Sequence, residues 1–394
     1  MKRNFRSLNE IITFRGGGTP RKDVPEYWSD EIPWASVKDF KSLDLSRTQD
    51  SISRKGLAAS ASNLIPAGHV IIPTRMALGK AAINSIDMAI NQDLRALIPK
   101  VPLDSRYLLH SMIGLADEIV RYGSGATVKG ITQDNLGKLQ IPLPPLAEQK
   151  RIAAILDAAD ALRTKRREAL AQLDALLQSS FLTLFGDPVS NPMGWKKSTI
   201  GELVDNIDSG WSPTCLERPA ADGEWGVLKL GAVTYCVYRE DQTKALPPGL
   251  TPRPEIEVQK GDLLFVRKNT YELVAACAYV HKTRSRLMLP DLIFRLRLSK
   301  AAKTEPIFMW QQLIVPHLRK HIQSFAGGAA GSMPNISKAK LRDIQVIKPP
   351  LPLQQKFAAI VESIERQKTT QRAHLAELDA LFAALQHRAF RGEL

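Results

Sequence analysis

The sequence predicts an α+β protein in which two mixed α/β domains are joined by two long antiparallel coiled-coil helices, as a pseudo-two-fold, circularly organised dumbbell. Two observations predict this class. The first is a repeat at a distance of 205 residues, which needs no gap between Ile131 and Phe185. The second is a pair of stretches without Gly or Pro, residues 147–184 and 353–390, which alternate with segments rich in both.

The repeat covers one helix-sized segment and its flanks. Its matched parts include Pro144-Pro145-Leu146 with Pro349-Pro350-Leu351, Gln149 with Gln354, and Leu173-Asp174-Ala175-Leu176 with Leu378-Asp379-Ala380-Leu381. Solenoid repeats have periods of about 20–50 residues, so a period this long indicates a duplicated module of one domain and one helix. The predicted boundaries are 1–146 and 187–351 for the mixed domains, and 147–186 and 352–394 for the helices.

Apolar residues recur in both Gly- and Pro-free stretches at alternating steps of three and four, the pattern of a coiled-coil seam. The first seam is Ile152, Ile155, Ala159, Leu162, Ala169, Leu173 and Leu176, and the second is Phe357, Ile360, Ile364, Leu378, Leu381 and Leu385. A helix of about 38 residues is about 57 Å long. This length exceeds the width of a compact domain of about 150 residues. We therefore expect the helices to pack on each other, and to be antiparallel because a compact domain joins the end of one to the start of the other.

Charge and cysteine content limit the class of protein. Lys and Arg number 54 against 40 Asp and Glu, and this excess of 14 positive charges favours binding to polyanions. No apolar run approaches the ~20 residues that span a bilayer, so no membrane association is expected. Cys215, Cys236 and Cys277 are odd in number and widely spaced, which favours a reduced, cytoplasmic protein.

The ordered set of motifs resembles the specificity subunits of type I restriction-modification systems. PLPPLAEQKRIAAIL at 142–156 and the helix ends LDALLQSSF (173–181) and LDALFAALQHRAFRGEL (378–394) resemble the two conserved regions of that family. GGGTPRKDVPEYW (16–28) and GDLLFVRKNTYELV (261–274) resemble openings and central strands of its target-recognition domains. The resemblance covers essentially the whole chain, in the family's domain order.

The resemblance implies a function for each part. The mixed domains would be target-recognition domains 1 and 2, each reading one half of an asymmetric bipartite target in double-stranded DNA. The helices would set the spacing and dock two methyltransferase subunits, to which restriction–translocase subunits attach. The chain itself would be non-catalytic and bind no cofactor, with S-adenosylmethionine, ATP and Mg expected on the partner subunits. The sequence itself also favours an asymmetric target. The two helices are closely alike, whereas the two mixed domains share only short similar segments.

Residues that could carry catalysis or hold a metal are sparse. Leu143 and Lys348 precede the two Pro-Pro pairs, so the Asn/Asp-Pro-Pro-aromatic motif that positions an extruded adenine is missing. Gly16-Gly17-Gly18 lacks the Lys-Ser/Thr of a phosphate-binding loop, and a tight turn is the favoured interpretation. His317 and His321 have i, i+4 spacing, but no third ligand follows. We predict no catalytic residue and no metal site.

Candidate DNA contacts fall on Gly-rich loops and on polar residues after predicted strands. Hydroxyls, cations and backbone amides suit phosphates, Arg and Lys suit guanine, and Asn and Gln suit adenine. In the first domain the candidates are Thr19, Arg21, Lys22, Lys38, Arg75, Asn91, Gln92, Ser124, Thr127 and Lys129. In the second they are Lys229, Arg267, Lys268, Asn269, Tyr271 and Ser332. The alternative for each is a solvated surface residue or a loop cap.

Two other functions are compatible with parts of the sequence. A self-sufficient DNA methyltransferase with a fused specificity region would need the motifs that are missing. A structural coiled-coil adaptor would leave the positive charge and the loop-rich domains without a role. The leading hypothesis is a non-catalytic DNA-recognition subunit. The heads of its helices, residues 148–151 and 354–356, would contact either partner subunits or the mixed domains.

Overall fold

The computed structural model describes residues 5–125, 129–327, 333–391 and 393–394. Contacts divide the chain into two compact units, one formed by Met1–Glu168 with Arg372–Leu394 and the other by Ala169–Gln371. Each unit contains strands, short helices and part of both long helices. The predicted mixture of α and β elements, with one long central helix and one long C-terminal helix, is confirmed.

The strands of the first unit form three sheets. They are β1 (Phe5–Ser7), β2 (Ile12–Gly16), β3 (Ile32–Ala35), β4 (Asp44–Leu45), β5 (Asp50–Ile52), β6 (Leu64–Ile65), β7 (Val70–Pro73), β8 (Ala82–Asn84), β9 (Met88–Ile90), β10 (Leu94–Pro99) and β11 (Gln140–Pro142), as far as the described residues extend. Their orders are β2-β10-β7-β8-β4, β5-β3-β9-β6 and β1-β11. Pairing is antiparallel apart from β3 with β9 and β4 with β8. The short apolar run Val70-Ile71-Ile72 lies in β7.

Short helices flank these sheets. They are α1 (Leu8–Ile11), α2 (Arg54–Ala58), α3 (Ser105–Gly114), α4 (Ala116–Arg121) and α5 (Gln133–Lys138), and the long helix α6 (Leu146–Phe185) follows. Residues 105–121 form two helices and not one, because α3 and α4 separate at Leu115 (φ −90°, ψ 7°). Gly114 directly precedes this point, and glycine weakens a helix interior.

The second unit repeats the strand pairing of the first. Its strands are β12 (Lys197–Thr199), β13 (Val204–Ser209), β14 (Gly226–Leu228), β15 (Thr243–Ala245), β16 (Leu263–Val266), β17 (Cys277–Tyr279), β18 (Leu287–Met288), β19 (Ile293–Leu298) and β20 (Gln345–Ile347). The order β13-β19-β16-β17 corresponds to β2-β10-β7-β8, and β12-β20 corresponds to β1-β11. The parallel pair β14–β18 corresponds to β3–β9. The duplication therefore includes the sheets, where the sequence showed only echoes.

The helices of the second unit include a break that proline explains. They are α7 (Ile200–Leu203), α8 (Pro306–Ile314), α9 (Pro316–Ser324), α10 (Lys338–Arg342) and the long helix α11 (Leu351–Arg391). Residues 306–324 form two helices and not one, because Val315 is extended (ψ 127°) between α8 and α9. A residue that precedes proline is disfavoured in the helical region by a steric clash with the proline ring.

The predicted coiled-coil seam is wrong at three leucines. Leu162, Leu176 and Leu381 are 52%, 49% and 48% exposed. The neighbouring residues Leu177 and Phe382 are buried instead. A stripe that includes phenylalanines buries more apolar area than the leucine heptad would, so these larger side chains decide which face of each helix is covered.

Ion pairs link α6 to α11 inside each unit. In the first unit Arg163 Nε lies 2.7 Å from Asp379 Oδ1, and its guanidinium stands 4.3 Å from the centre of the Phe382 ring. In the second unit Lys368 Nζ lies 2.7 Å from Asp174 Oδ1 although Lys368 is buried. In the first unit Arg163 contacts Phe382 and Arg167 contacts Asp379; in the second, Asp174 contacts Lys368 and Phe181 contacts Phe357. Contacts that advance along α6 therefore go backwards along α11, so the helix segments pack antiparallel in each unit.

A buried glutamine fixes each long helix to the mixed domain of its unit. Gln149 accepts a hydrogen bond from the Asp104 amide (2.8 Å) and donates to the Pro144 carbonyl (2.9 Å). Gln354 accepts from the Glu305 amide (3.0 Å) and donates to the Pro349 carbonyl (2.7 Å). Asp104 and Glu305 are the N-caps of α3 and α8. The repeated glutamine is therefore a contact between helix and domain, one of the two roles that the sequence left open for these helix heads.

Candidate nucleic-acid interface

A cleft of about 720 Å³ in the first unit gathers half of the candidate residues predicted for that domain. Its lining includes Thr19, Lys22, Lys38, Asn91 and Gln92, together with Trp28, Trp34, Ser36, Val37, Asp50 and Met76. The two tryptophans meet edge to face with ring centroids 5.4 Å apart. The cleft therefore combines amide, hydroxyl and ammonium groups with aromatic surface, a combination suited to base edges and phosphates.

The Gly-rich segment after β2 reaches the end of β9 by close backbone contact. A Cβ on Gly17 would lie 1.9 Å from the Ile90 carbonyl oxygen, so no other residue fits there without a backbone shift. The Gly18 amide donates to the same carbonyl (3.0 Å), and the indole of Trp34 donates to the Gly18 carbonyl (3.0 Å). The glycines thus serve a close approach of two chain segments, and this approach brings Thr19 beside Gln92.

Gln92 and Asn91 differ in what they offer to a ligand. Gln92 is exposed; its Oε1 accepts a hydrogen bond from the Thr19 hydroxyl, and its Nε2 lies 3.3 Å from Asp93 Oδ2. Asn91 is only 6% exposed, and its Oδ1 accepts from the Asp93 amide (3.1 Å) within the turn. The exposed amide at this end of the cleft is therefore that of Gln92.

Arg21 and Lys38 lie in ordered local structures. The Arg21 guanidinium makes two contacts with the Asp23 carboxylate, at 3.2 and 2.6 Å, and these hydrogen bonds hold the pKa of Asp23 below its usual range. Arg21 itself remains 75% exposed at the surface. Lys38 belongs to a 3-10 turn, Val37–Asp39, whose start is closed by reciprocal hydrogen bonds between Ser36 and Asp39.

Arg75 and the second Gly-rich loop lie together beside the cleft. Ser124 and Gly130 exchange two backbone hydrogen bonds (2.9 and 2.8 Å), and Gly130 also bridges to Arg75. The Arg75 side chain is 66% exposed and lies 4.0 Å from Asp93. The next residue, Met76, has a positive φ of 64° and is 63% exposed. Lys129 belongs to the same loop, whereas Thr127 lies outside the described residues.

The corresponding loop of the second unit is attached at Arg267 and Lys268. Asn335 bridges to both Lys268 and Gly327. The Arg267 guanidinium donates to Asn335 Oδ1 (2.9 Å) and to the Asp291 carbonyl (2.8 Å), so it holds the loop against the turn before β19. Ser332 lies outside the described residues.

The remaining candidates of the second unit surround this attachment point. Asn269 is 7% exposed and lies 3.4 Å from the Thr234 hydroxyl, so it connects the loop to the turn after Lys229. Lys229 directly precedes the 3-10 turn Leu230–Ala232 and is half-buried. Tyr271 is 52% exposed. Tyr271 is therefore the most exposed of these three side chains.

The sequence analysis missed a second copy, in the second unit, of the arrangement formed by Gly17, Gly18 and Thr19. A Cβ on Gly210 would lie 1.9 Å from the Leu289 carbonyl, and the Trp211 amide donates to that carbonyl (2.9 Å), just as Gly17 and Gly18 meet Ile90. The Ser212 hydroxyl then donates to Asp291 Oδ1. The signal was present as Gly-x-Ser/Thr-Pro at 17–20 and 210–213. It is short, and the intervening loops differ in length.

His317, one of the two histidines at i, i+4 spacing, lies outside the cleft. His317 Nδ1 lies 2.6 Å from Asp187 Oδ2. Burial opposes ionisation of Asp187, but the amides of Ser190 and Val189 and the His317 ring lower its pKa below the ordinary value. Within the described ranges, His, Cys, Asp and Glu side chains do not gather in threes as a metal site requires. Over the same ranges, helix length and apolarity never combine as a bilayer crossing would need.

Residues 2–172 match the family model described as the type I restriction modification DNA specificity domain. These residues include the cleft, its loops and the first part of α6. This match confirms the resemblance drawn from the sequence, and the cleft described above lies within the matched residues.

Curated relatives and solved structures agree with the specificity-domain match. The chain is 34% identical over 206 residues to the specificity subunit of the type I restriction enzyme EcoEI from Escherichia coli, covering 49% of this chain and 34% of that protein. It is 32% identical over 184 residues to the EcoR124I/EcoR124II specificity subunit from Escherichia coli, covering 45% of this chain and 46% of the relative. The aligned part thus spans about a third to a half of these relatives' length.

Solved structures share the fold of this protein over nearly the whole chain. The crystal structure of the type I restriction-modification S subunit from M. genitalium has a TM-score of 0.57 at 16% identity and covers 99% of this chain and 96% of that one. A chain from a type I R-M complex-assembly study has a TM-score of 0.54 at 18% identity and covers 99% of this chain and 98% of its own. At these identities the similarity shows a shared fold.

Proposed function

We propose that this chain is the non-catalytic specificity subunit of a type I restriction-modification complex. Each mixed domain would read one half of a bipartite, asymmetric target in double-stranded DNA. The observation that carries the proposal is a pair of equivalent side-chain contacts, Thr19 with Gln92 in the first unit and Ser212 with Asp291 in the second. Both pairs lie at the same strand ends, whereas the surrounding side chains differ. Two different readers on one repeated scaffold favour two different half-sites.

Charge and surface chemistry support DNA as the ligand. The excess of 14 positive charges supplies the salt-dependent attraction to phosphates that DNA-binding proteins need. Arg75 and Lys268 occupy equivalent positions, since Gly130 bridges to one and Asn335 to the other. Both follow the central strand of their sheet, so the repeat conserves a cation beside each loop.

The long helices would set the distance between the half-sites in a dumbbell with a pseudo-two-fold axis. They contain 40 and 41 residues, so each is about 60 Å long at ~1.5 Å per residue. That length spans at most about 17 base pairs at ~3.4 Å each. Half-site centres about one to one and a half DNA turns apart would follow. The exposed leucines Leu162, Leu176 and Leu381 would be available to the two methyltransferase subunits.

The proposed complex would work in the cytoplasm with chemistry supplied by its partners. Methyltransferase subunits would bind S-adenosylmethionine, and restriction–translocase subunits would bind ATP and Mg. The described residues of this chain would contribute recognition and spacing. Its target-recognition domains would be interchangeable modules, bounded at 1–146 and 187–351.

The test is to map methylated adenines after co-expression of the chain with its methyltransferase subunits. We expect one asymmetric motif of two parts with a fixed spacer, and no methyl transfer by the purified chain alone. Replacing residues 187–351 with another member's second domain should change one half of the motif and leave the other intact. Methyl transfer by the rigorously pure chain would favour the self-sufficient methyltransferase, and an unchanged methylation pattern without the chain would refute the proposal.

A further inference from the structure

Both units orient one polar side chain with a hydroxyl in the same way. The Thr19 hydroxyl donates to Gln92 Oε1, and the Ser212 hydroxyl donates to Asp291 Oδ1. Each hydroxyl residue stands three positions after the end of its strand, β2 or β13. Each partner stands in the turn that leads into the adjacent strand, β10 or β19.

The backbone around the two pairs is equivalent, so the correspondence of Gln92 with Asp291 does not depend on an alignment. The Thr74 amide donates to the Asp93 carbonyl (2.7 Å), and the Arg267 amide donates to the Leu292 carbonyl (3.1 Å). Asp93 and Leu292 directly follow the two residues in question. On the other side, the Gly-carbonyl contacts at Ile90 and Leu289 precede them by two positions in both units.

The two side chains offer opposite chemistry to a ligand. The Gln92 amide has an acceptor oxygen and a donor nitrogen, and it is exposed beside the cleft. Asp291 has two carboxylate oxygens and is half-exposed, with Oδ1 engaged by Ser212. Its turn is also fixed by the Arg267 guanidinium, which donates to the Asp291 carbonyl (2.8 Å). An ionised carboxylate only accepts hydrogen bonds.

We propose that Gln92 and Asp291 are equivalent specificity-determining positions, with Gln92 selecting adenine in one half-site and Asp291 selecting cytosine in the other. An amide can pair with both N6 and N7 of adenine, whereas a carboxylate accepts from the N4 amino group of cytosine. Adenine also carries an amino group, but its N7 acceptor would repel the carboxylate. Thr19 and Ser212 are positioning residues that set the plane of each reader. This inference rests on the proposed function and names the chemistry of its two half-sites.

The experiment uses the complex of the full chain with its methyltransferase subunits and a DNA library with both half-sites randomised. In Asp291→Asn the discrimination at one position of the second half-site should fall roughly 5- to 150-fold, with the first half-site unchanged. Asp222→Asn removes the same charge from an exposed residue of the same unit and should leave both half-sites unchanged. Gln92→Ala should lose adenine discrimination in the first half-site, whereas exposed Gln49→Ala should not.

Ser212→Ala distinguishes a role of Asp291 in base reading from a purely structural role of its turn. It keeps the carboxylate but frees its orientation, so discrimination should weaken at the position that Asp291→Asn changes and nowhere else. If Asp291→Asn fails to fold, this variant decides the question in its place. If these variants leave the base preferences unchanged, or lose discrimination in both half-sites, the assignment of Gln92 and Asp291 is overturned. The proposed function still stands in that case, provided that the wild-type complex reads a bipartite motif. A wild-type complex without any bipartite motif removes the proposed function itself.

Discussion

Gln149 tests how firmly the long helices are attached to the mixed domains. Its side chain is 1% exposed; it accepts a hydrogen bond from the amide of Asp104, the N-cap of α3, and donates one to the carbonyl of Pro144, just before α6. In Gln149→Ala both backbone groups lose their partner. The half-buried surroundings of Asp104 and Pro144 admit water only in part.

The expected loss in α3 follows from the Asp104 amide, which is left without a partner. A buried polar group without a partner costs about 1–3 kcal/mol, so the variant should lower the local opening free energy of α3 by about that amount. That range corresponds to roughly 5- to 150-fold faster exchange through local opening, since about 1.4 kcal/mol is a factor of ten. The effect should stay inside the first unit, because Gln354 holds α8 through its own pair of bonds.

Hydrogen exchange measured by mass spectrometry reports this opening peptide by peptide. Peptides from Ser105–Gly114 should exchange faster in Gln149→Ala, and peptides from Pro306–Ile314 should not. Gln354→Ala should give the mirror result. Gln178→Ala removes an exposed glutamine from the same helix and serves as the control. Identical exchange of α3 in Gln149→Ala and Gln178→Ala would refute the argument that the buried amide attaches the helix.

Three further predictions concern the helices, a buried arginine and a buried histidine. Inserting four residues after Leu170 and another four after Leu375 should lengthen each long helix by about 6 Å. The spacer of the methylation motif should then grow by one or two base pairs, with both half-sites unchanged. An unchanged spacer would show that the helices do not set the distance between the half-sites. Arg295→Met should destabilise the second unit by about 3–5 kcal/mol in urea unfolding, because a guanidinium that is 3% exposed is lost and the carboxylates of Asp208 and Asp262 each lose a cation partner. Burial lowers the pKa of His110 below its ordinary 6.5, so the unfolded chain binds the proton more readily and the first unit should lose stability as the pH falls below about 6.5. His110→Gln, which copies the buried Gln311 of the other unit, should flatten that pH dependence, and equal slopes would contradict it.

Elements that depend on local composition could be predicted from the sequence. The absence of Gly and Pro marked both long helices. The repeated glutamines also pointed to a shared role. The covered helix face could not be predicted, because leucines and phenylalanines one position apart compete for it. Burial of Leu177 in place of Leu176 is decided by partners distant in sequence.

The candidate site was predictable in composition but not in geometry. Of the polar residues predicted as DNA contacts, Thr19, Lys22, Lys38, Asn91 and Gln92 line one cleft. The sequence could not show that Arg267 is engaged with Asn335 or that Asn91 closes its own turn, since both depend on segments brought together by the sheets. Asp291 was passed over for a similar reason. An acidic residue is not expected to contact a polyanion, and the sequence could not show that the Ser212 hydroxyl orients the Asp291 carboxylate.

The division of the chain into units also constrains how the protein is made. The first unit needs Arg372–Leu394, which leaves the ribosome about 200 residues after Glu168. At a synthesis rate of roughly 5–20 residues per second, the first unit waits about 10–40 s for its last segment. During that interval the surface that Phe382 and Phe390 later cover around Tyr107 and His110 stays open to water. The second unit, which is continuous in sequence, can complete its fold first, so the nascent chain matures in the reverse of its order of synthesis.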